Sequence, residues 1–124
     1  MATAIGIALA GAAGALARYG LDGFVSRKTG GGFPWGTFVV NVTGSLVIGL
    51  LFTVFTERFM VAPWLRSTLL IGFIGAYTTF STLSLETFRL MEDGSFVLAA
   101  ANSLGSLALG LIAVYLGVVA GRLI

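Results

Sequence analysis

Apolar residues run almost unbroken through four stretches of the chain, about 3–24, 36–58, 64–91 and 95–121, with short clusters of charge, glycine and proline between them. Each stretch reaches or exceeds the roughly 20 helical residues that cross a bilayer core. The pattern predicts an all-α integral membrane protein with four transmembrane helices, and residues 1–124 read as one membrane domain. The third stretch departs from the others. From Trp64 to Met91, at ~1.5 Å per residue, it is longer than a roughly 30 Å apolar slab requires. Near its middle stands Gly72-Phe73-Ile74-Gly75-Ala76-Tyr77-Thr78-Thr79-Phe80-Ser81-Thr82-Leu83-Ser84-Leu85-Glu86, which puts glycines and hydroxyls at mid-membrane depth. Irregular backbone is tolerated there only where protein, ions or water satisfy it. A third helix broken near its middle accounts for both length and composition.

Polar residues inside the other spans fall on helical faces. Thr37, Asn41 and Ser45 follow one another at four-residue spacing and make a polar stripe on the second span. On the third, Phe80 and Leu83 share one face, while Thr79, Thr82 and Glu86 share another; on the fourth, Asn102 and Ser106 repeat the device, with Ser103 and Gly105 nearby. An asparagine in a span reads equally as interhelical glue or as pore lining. Three striped helices in so short a chain favour a permeation path. The first span instead carries Gly6, Ala10 and Gly14, with Gly11 beside them, which reads as close helix packing. Arg18 lies toward the end of that span, where it reaches headgroups or a wet vestibule. Phe24 to Trp35, with Ser26, Arg27, Lys28, three glycines and Pro34, reads as a loop.

Composition agrees with the pattern: 57% of residues are hydrophobic and 10% charged, with a mean hydropathy of +1.02. Cysteine and histidine are both absent, which removes disulfides, thiolates and imidazole bases. No spaced pair of carboxylates lies inside a span, so an enzyme is not expected. The basic residues form no stripe, so no nucleic-acid surface is expected either. With the N-terminus on one side, that side carries Arg58, Arg66 and Arg122, and the other carries Arg18, Arg27, Lys28 and Arg89. Orientation follows a Lys/Arg excess, so this near-tie predicts insertion both ways round and an antiparallel homodimer. A single orientation imposed by a weak bias or by a partner is the other reading.

The available donors choose the permeant. An anion takes N–H and O–H donors and the positive edges of aromatic rings, whereas a dehydrated cation takes carboxylates or carbonyls. Asn, Ser and Thr line the stripes and no acidic residue sits mid-span, which suits a small anion. Carbonyls freed at the Gly75–Thr78 break suit the opposite, one buried cation at a dimer axis.

Gly11-Ala12-Ala13-Gly14-Ala15-Leu16-Ala17-Arg18-Tyr19, Gly36-Thr37-Phe38-Val39-Val40-Asn41 and Gly72-Phe73-Ile74-Gly75-Ala76-Tyr77-Thr78-Thr79-Phe80-Ser81-Thr82 resemble the signature segments of the Fluc (CrcB) fluoride channels, collinearly over all four spans. The resemblance implies a channel in the plasma or inner membrane that exports fluoride passively, built as an antiparallel homodimer with two pores and a structural sodium ion. It implies that Gly75 and Thr78 offer backbone carbonyls to Na+. Phe80 would present its ring edge to fluoride, Asn41 would donate amide N–H groups, and Arg18 would hold the entrance. Thr79 and Thr82 would join the pore. Ser106 would continue a polar track, with Asn102 near its wider end. The family usually has a second phenylalanine three residues after the first, and this chain has Leu83 there. Leucine has no quadrupolar edge for an anion. Some relatives pair unlike subunits, so Leu83 also fits one half of a heterodimer. Two rivals remain: a dual-topology exporter of cationic drugs, whose first helix would need a carboxylate, and a membrane assembly protein whose stripes only glue helices.

Overall fold

A computed structural model describes residues 1–124 and contains helices only. Four segments are long and apolar enough to cross a membrane, at Ala2–Thr29, Trp35–Arg58, Pro63–Glu92 and Phe96–Leu123. We number the helices α1 (Ala2–Thr29), α2 (Trp35–Arg58), α3 (63–77), α4 (Phe80–Glu92) and α5 (Phe96–Leu123), so α3 and α4 are the two halves of the broken third span. The bounds match the expected spans closely except at the end of α1.

The region expected to be a loop from Phe24 is helical as far as Thr29, and only Gly30 to Pro34 connects the first two spans. Polar residues here extend the helix past the apolar slab. Ser26 donates to Asp22 Oδ1 at 3.3 Å and Thr29 to the Val25 carbonyl at 2.8 Å, so the hydroxyls bond within their own helix. Arg27 and Lys28 occupy the last turn, where positive charge meets the negative end of the helix dipole. Gly30 stops it, adopting φ 73°, a conformation that side-chain-bearing residues avoid.

Small residues bring the helices together in two parallel pairs. Gly6 faces Thr68 and Gly14 lies against the Phe73 carbonyl, so α1 runs alongside α3. A Cβ on Gly72 would stand 2.9 Å from the Ile7 carbonyl oxygen, which leaves no room for a side chain. Gly117 and Gly121 seat α5 in the same manner against Leu46, Leu50 and Thr53 of α2. Residues Thr68–Ile74 of α3 form a π-helical stretch, as does the last turn of α2 at Val54–Arg58. Neither wide-turn segment is legible in the apolar pattern. At one end of the bundle, Arg122 bridges Glu57 through Nε at 3.0 Å and a second nitrogen at 3.1 Å.

Only 16 of 124 residues are buried within the chain, so most of its apolar side chains face outward. Lipid or another protein chain must cover them, because water would not.

Candidate functional site

The third span breaks at two threonines. Thr78 (φ −83°, ψ 157°) and Thr79 (φ −149°, ψ 117°) are extended, and the glycines that stand out in the sequence lie before them in helix. Gly72 is needed for close approach to α1; the break itself needs no positive φ. Threonine suits the break because its hydroxyl caps the next helix. Thr79 Oγ1 accepts from the Thr82 N–H at 3.2 Å and donates to Thr82 Oγ1 at 3.0 Å, which starts α4.

Asn41 on α2 clasps this break from the side. Its Oδ1 accepts from the Thr79 N–H at 2.8 Å, and its Nδ2 donates to the Thr79 carbonyl at 3.0 Å. Both backbone groups of the interrupted residue are thereby satisfied by one amide, which in hydrocarbon is what permits the interruption. One N–H of the amide is left for another acceptor. Ser45, one turn further along α2, donates to the Asn41 carbonyl at 2.8 Å. Below the break, the hydroxyls of Thr43 and Tyr77 lie 2.8 Å apart, and Gly44 lets Tyr77 and Thr78 pack onto α2.

The same rearrangement frees oxygen atoms. In a continuous helix the N–H groups of Thr79 and Thr82 would bond the carbonyls of Gly75 and Thr78. Here they go to Asn41 Oδ1 and Thr79 Oγ1 instead. Gly75 is exposed and Thr78 half-buried, so two uncommitted carbonyls stand close together on the chain. Neutral oxygens of this kind fit a hard cation and repel an anion.

A groove of about 710 Å³ runs from the break along α4 and α5. Asn41, Ser45, Thr78, Thr79, Thr87, Ser103 and Ser106 contribute its polar wall, and Phe80 and Leu83 its apolar rim. None of its 19 lining residues is charged. Phe80 is 81% exposed, its ring standing clear of the rest of the chain. Leu83, one turn on, is half-buried.

The other expected residues fall at different depths. Ser106 borders the groove with its hydroxyl oxygen buried and unpartnered. Thr82 belongs to the cap of α4 and is not among the lining residues. Asn102 is fully buried outside the lining and donates through Nδ2 to Thr87 Oγ1 at 3.0 Å. Arg18 is half-buried on α1, one turn beyond Gly14, with a buried Nε that meets no protein acceptor. It too lies outside the groove. Glu86 accepts from the Thr37 hydroxyl at 2.8 Å, and its second oxygen is buried without a partner. Two features that matter here do not stand out in the sequence. Thr87 can be found by its position four after Leu83 on the same face; the Thr43–Tyr77 contact, 34 residues apart in the chain, has no local signal.

Residues 5–118 match the family described as CrcB-like protein, Camphor Resistance (CrcB). A protein of Magnetococcus marinus named fluoride-specific ion channel FluC is 53% identical over 118 residues, covering 95% of this chain and 96% of that protein. Proteins of the same name from Geobacter metallireducens and Geotalea daltonii are 48% and 47% identical over 122 and 124 residues, covering 98% and 100% of each chain. With matches of this length and identity on both sides, the chain belongs to the CrcB family of fluoride channels.

Proposed function

We propose that this chain is a fluoride-selective channel that lets cytoplasmic fluoride leave the cell by passive electrodiffusion through a plasma or inner membrane. The observation that carries this reading is the uncharged groove beside the break. It combines amide and hydroxyl groups with the exposed ring of Phe80 and holds no carboxylate. Fluoride is small and strongly hydrated, so a passage must replace its water with close donors. Ser106, whose hydroxyl has no partner in the chain, and the spare N–H of Asn41 are such donors, and the ring edge of Phe80 would add a weakly positive wall.

The direction of transport follows from acid–base chemistry and the membrane field. Hydrogen fluoride crosses lipid neutral, ionises inside, and is trapped as the anion. An inside-negative potential then drives that anion outward with ~2.3 kcal/mol per 100 mV. Chloride must be refused, or the potential that drives export would collapse. A narrow, uncharged, donor-lined passage supplies the refusal, because a larger ion cannot bring all its contacts to bear within it.

The groove is open along one side, and a second copy is the occupant we infer for it. The Lys/Arg near-tie supports an antiparallel arrangement, which would give two equivalent grooves. At the axis, the carbonyls of Gly75 and Thr78 from each copy would hold a sodium ion, whose charge would lock the two breaks together. Arg18 would act at the entrance by raising the local anion concentration. Lipid would cover the remaining apolar surface. A cation exporter fits less well, because the first acidic residue of α1, Asp22, is engaged by Ser26 and packed on Gly36 at the start of α2.

Liposomes containing the purified protein test the reading. With a potassium ionophore releasing the potential, rapid fluoride efflux without chloride efflux is expected. Efflux of neither ion from a folded dimer would overturn the homomeric channel and direct attention to an unlike partner subunit.

A further inference from the structure

Three polar links tie α4 to the rest of the bundle. Two reach α2, from Thr79 to Asn41 and from Glu86 to Thr37. The third reaches α5: Asn102 Nδ2 donates to Thr87 Oγ1 at 3.0 Å, and the Thr87 hydroxyl donates to the Leu83 carbonyl at 2.8 Å. A hydroxyl has one proton, and Thr87 spends it on its own helix, so Asn102 has to be the donor in the link between helices.

Thr87 is well placed to transmit that link. Phe80, Leu83 and Thr87 lie at i, i+3 and i+7, on one face of α4, and all three border the groove. Threonine in a helix divides between two side-chain rotamers, one of which returns the hydroxyl to the preceding turn. Accepting from Asn102 selects that rotamer and fixes the rotation of α4 about its own axis. Asn102 itself is 0% exposed, and its Oδ1 is buried without any donor. An anion gains nothing from a free carbonyl oxygen. The amide therefore serves the helix better than it serves an ion in transit.

We infer that Asn102 is a positioning residue: acting through Thr87, it sets the turn of α4 that carries Leu83, and with it the width of the groove at its second station. The geometric half of this inference is independent of the channel reading; its effect on flux rests on that reading.

The test uses the full chain with Thr87→Val, which removes the hydroxyl at constant shape, Asn102→Leu, which removes the amide at similar size, their double variant, and Thr87→Ser. Two readouts are taken: the carbon-13 methyl resonances of Leu83, assigned through Leu83→Ile, and fluoride efflux from liposomes. Both single variants are expected to move the Leu83 resonances to the same new positions, with no further change in the double, while Thr87→Ser keeps the original ones. Efflux should fall about tenfold in each single variant, the effect of a hydrogen bond near the upper end of its usual worth, and no further in the double. Unmoved Leu83 resonances in either folded single variant would overturn the inference, as would flux losses that multiply in the double. So would Thr87→Ser behaving as Thr87→Val. If Asn102→Leu does not fold, the serine and valine variants at Thr87 decide alone. A wild type that passes no fluoride would end the homomeric channel reading, and the resonances would still decide the positioning role.

Discussion

Along α3 the contact with α1 is dry and made of backbone, whereas along α4 the contacts with α2 and α5 run through side-chain amides and hydroxyls. Gly14 and Gly72 bring α1 and α3 so close that carbonyl oxygens occupy the space of absent side chains, and at Gly6 the Thr68 hydroxyl does the same. Asn41, Thr37 and Asn102 hold α4 at three heights, Asn41 by two hydrogen bonds and the others by one each. Interhelical hydrogen bonds in membranes average about 0.6 kcal/mol, so the links together amount to roughly 2 kcal/mol. That is too little to explain why the span exists and enough to decide how its second half is turned. One half of the span builds the protein and the other half presents the groove.

The comparison breaks most severely at Gly14. A side chain there meets the Phe73 carbonyl, a backbone atom with no freedom to yield. Gly14→Val should therefore separate α1 from α3 and give little monodisperse protein in detergent, since overpacking costs about 1–3 kcal/mol even where a core can adjust. Gly20 on the same helix has nothing within 4 Å of its missing Cβ, and Gly20→Val should purify normally. Equal yields of the two variants by size-exclusion chromatography would show that the dry seam is not structural.

On the polar side the expected loss is of flux, read on variants that still purify as folded protein. Asn41→Asp keeps the acceptor for the Thr79 N–H but removes the donor to the Thr79 carbonyl and sets a negative charge beside the proposed anion path. Fluoride efflux should fall at least about a hundredfold, because an unpaired charge in low dielectric adds several kcal/mol to the passage of a like charge. Asn41→Asp with wild-type efflux would remove Asn41 from the path. Phe80→Ile should also abolish measurable efflux, with thermal stability nearly unchanged, because the ring is 81% exposed in the chain and supports little packing there. A folded Phe80→Ile variant that conducts would sink the ring-edge argument.

How far the sequence foretells this division depends on distance along the chain. The spans are legible because each is a continuous apolar run, and the packing role of Gly6 and Gly14 because four-residue spacing puts them on one face. The end of α1 is not, since Ser26, Arg27 and Lys28 are as compatible with a polar helical turn outside the slab as with a loop. The break lies in the expected segment but has a different cause. Glycine invites an irregular reading, yet Gly72 serves close packing, and two extended threonines make the interruption. Nothing near Thr79 announces that its partner is Asn41, 38 residues earlier. The stripe on α2 identifies Asn41 as costly and in need of a partner; only the fold supplies the partner.

Leu83 gives the smallest and most discriminating test. Phe80 lines the groove with an aromatic ring and, one turn later, Leu83 lines it with methyl groups only, so the two positions differ in the property by which an apolar wall could draw an anion. If the second station merely excludes water, leucine and phenylalanine serve alike and Leu83→Phe should leave efflux within about threefold of wild type. If ring edges are required twice, Leu83→Phe should raise efflux, with Phe80→Ile remaining silent in the same background. Either result keeps a homomeric channel with one indispensable aromatic station. A folded Leu83→Phe protein that no longer conducts would mean that the turn of α4 set by Thr87 has been fitted to the smaller side chain, with the added ring narrowing the groove that Leu83 lines. That outcome would connect the leucine to the Asn102 link more firmly than to any shortage of aromatic edges.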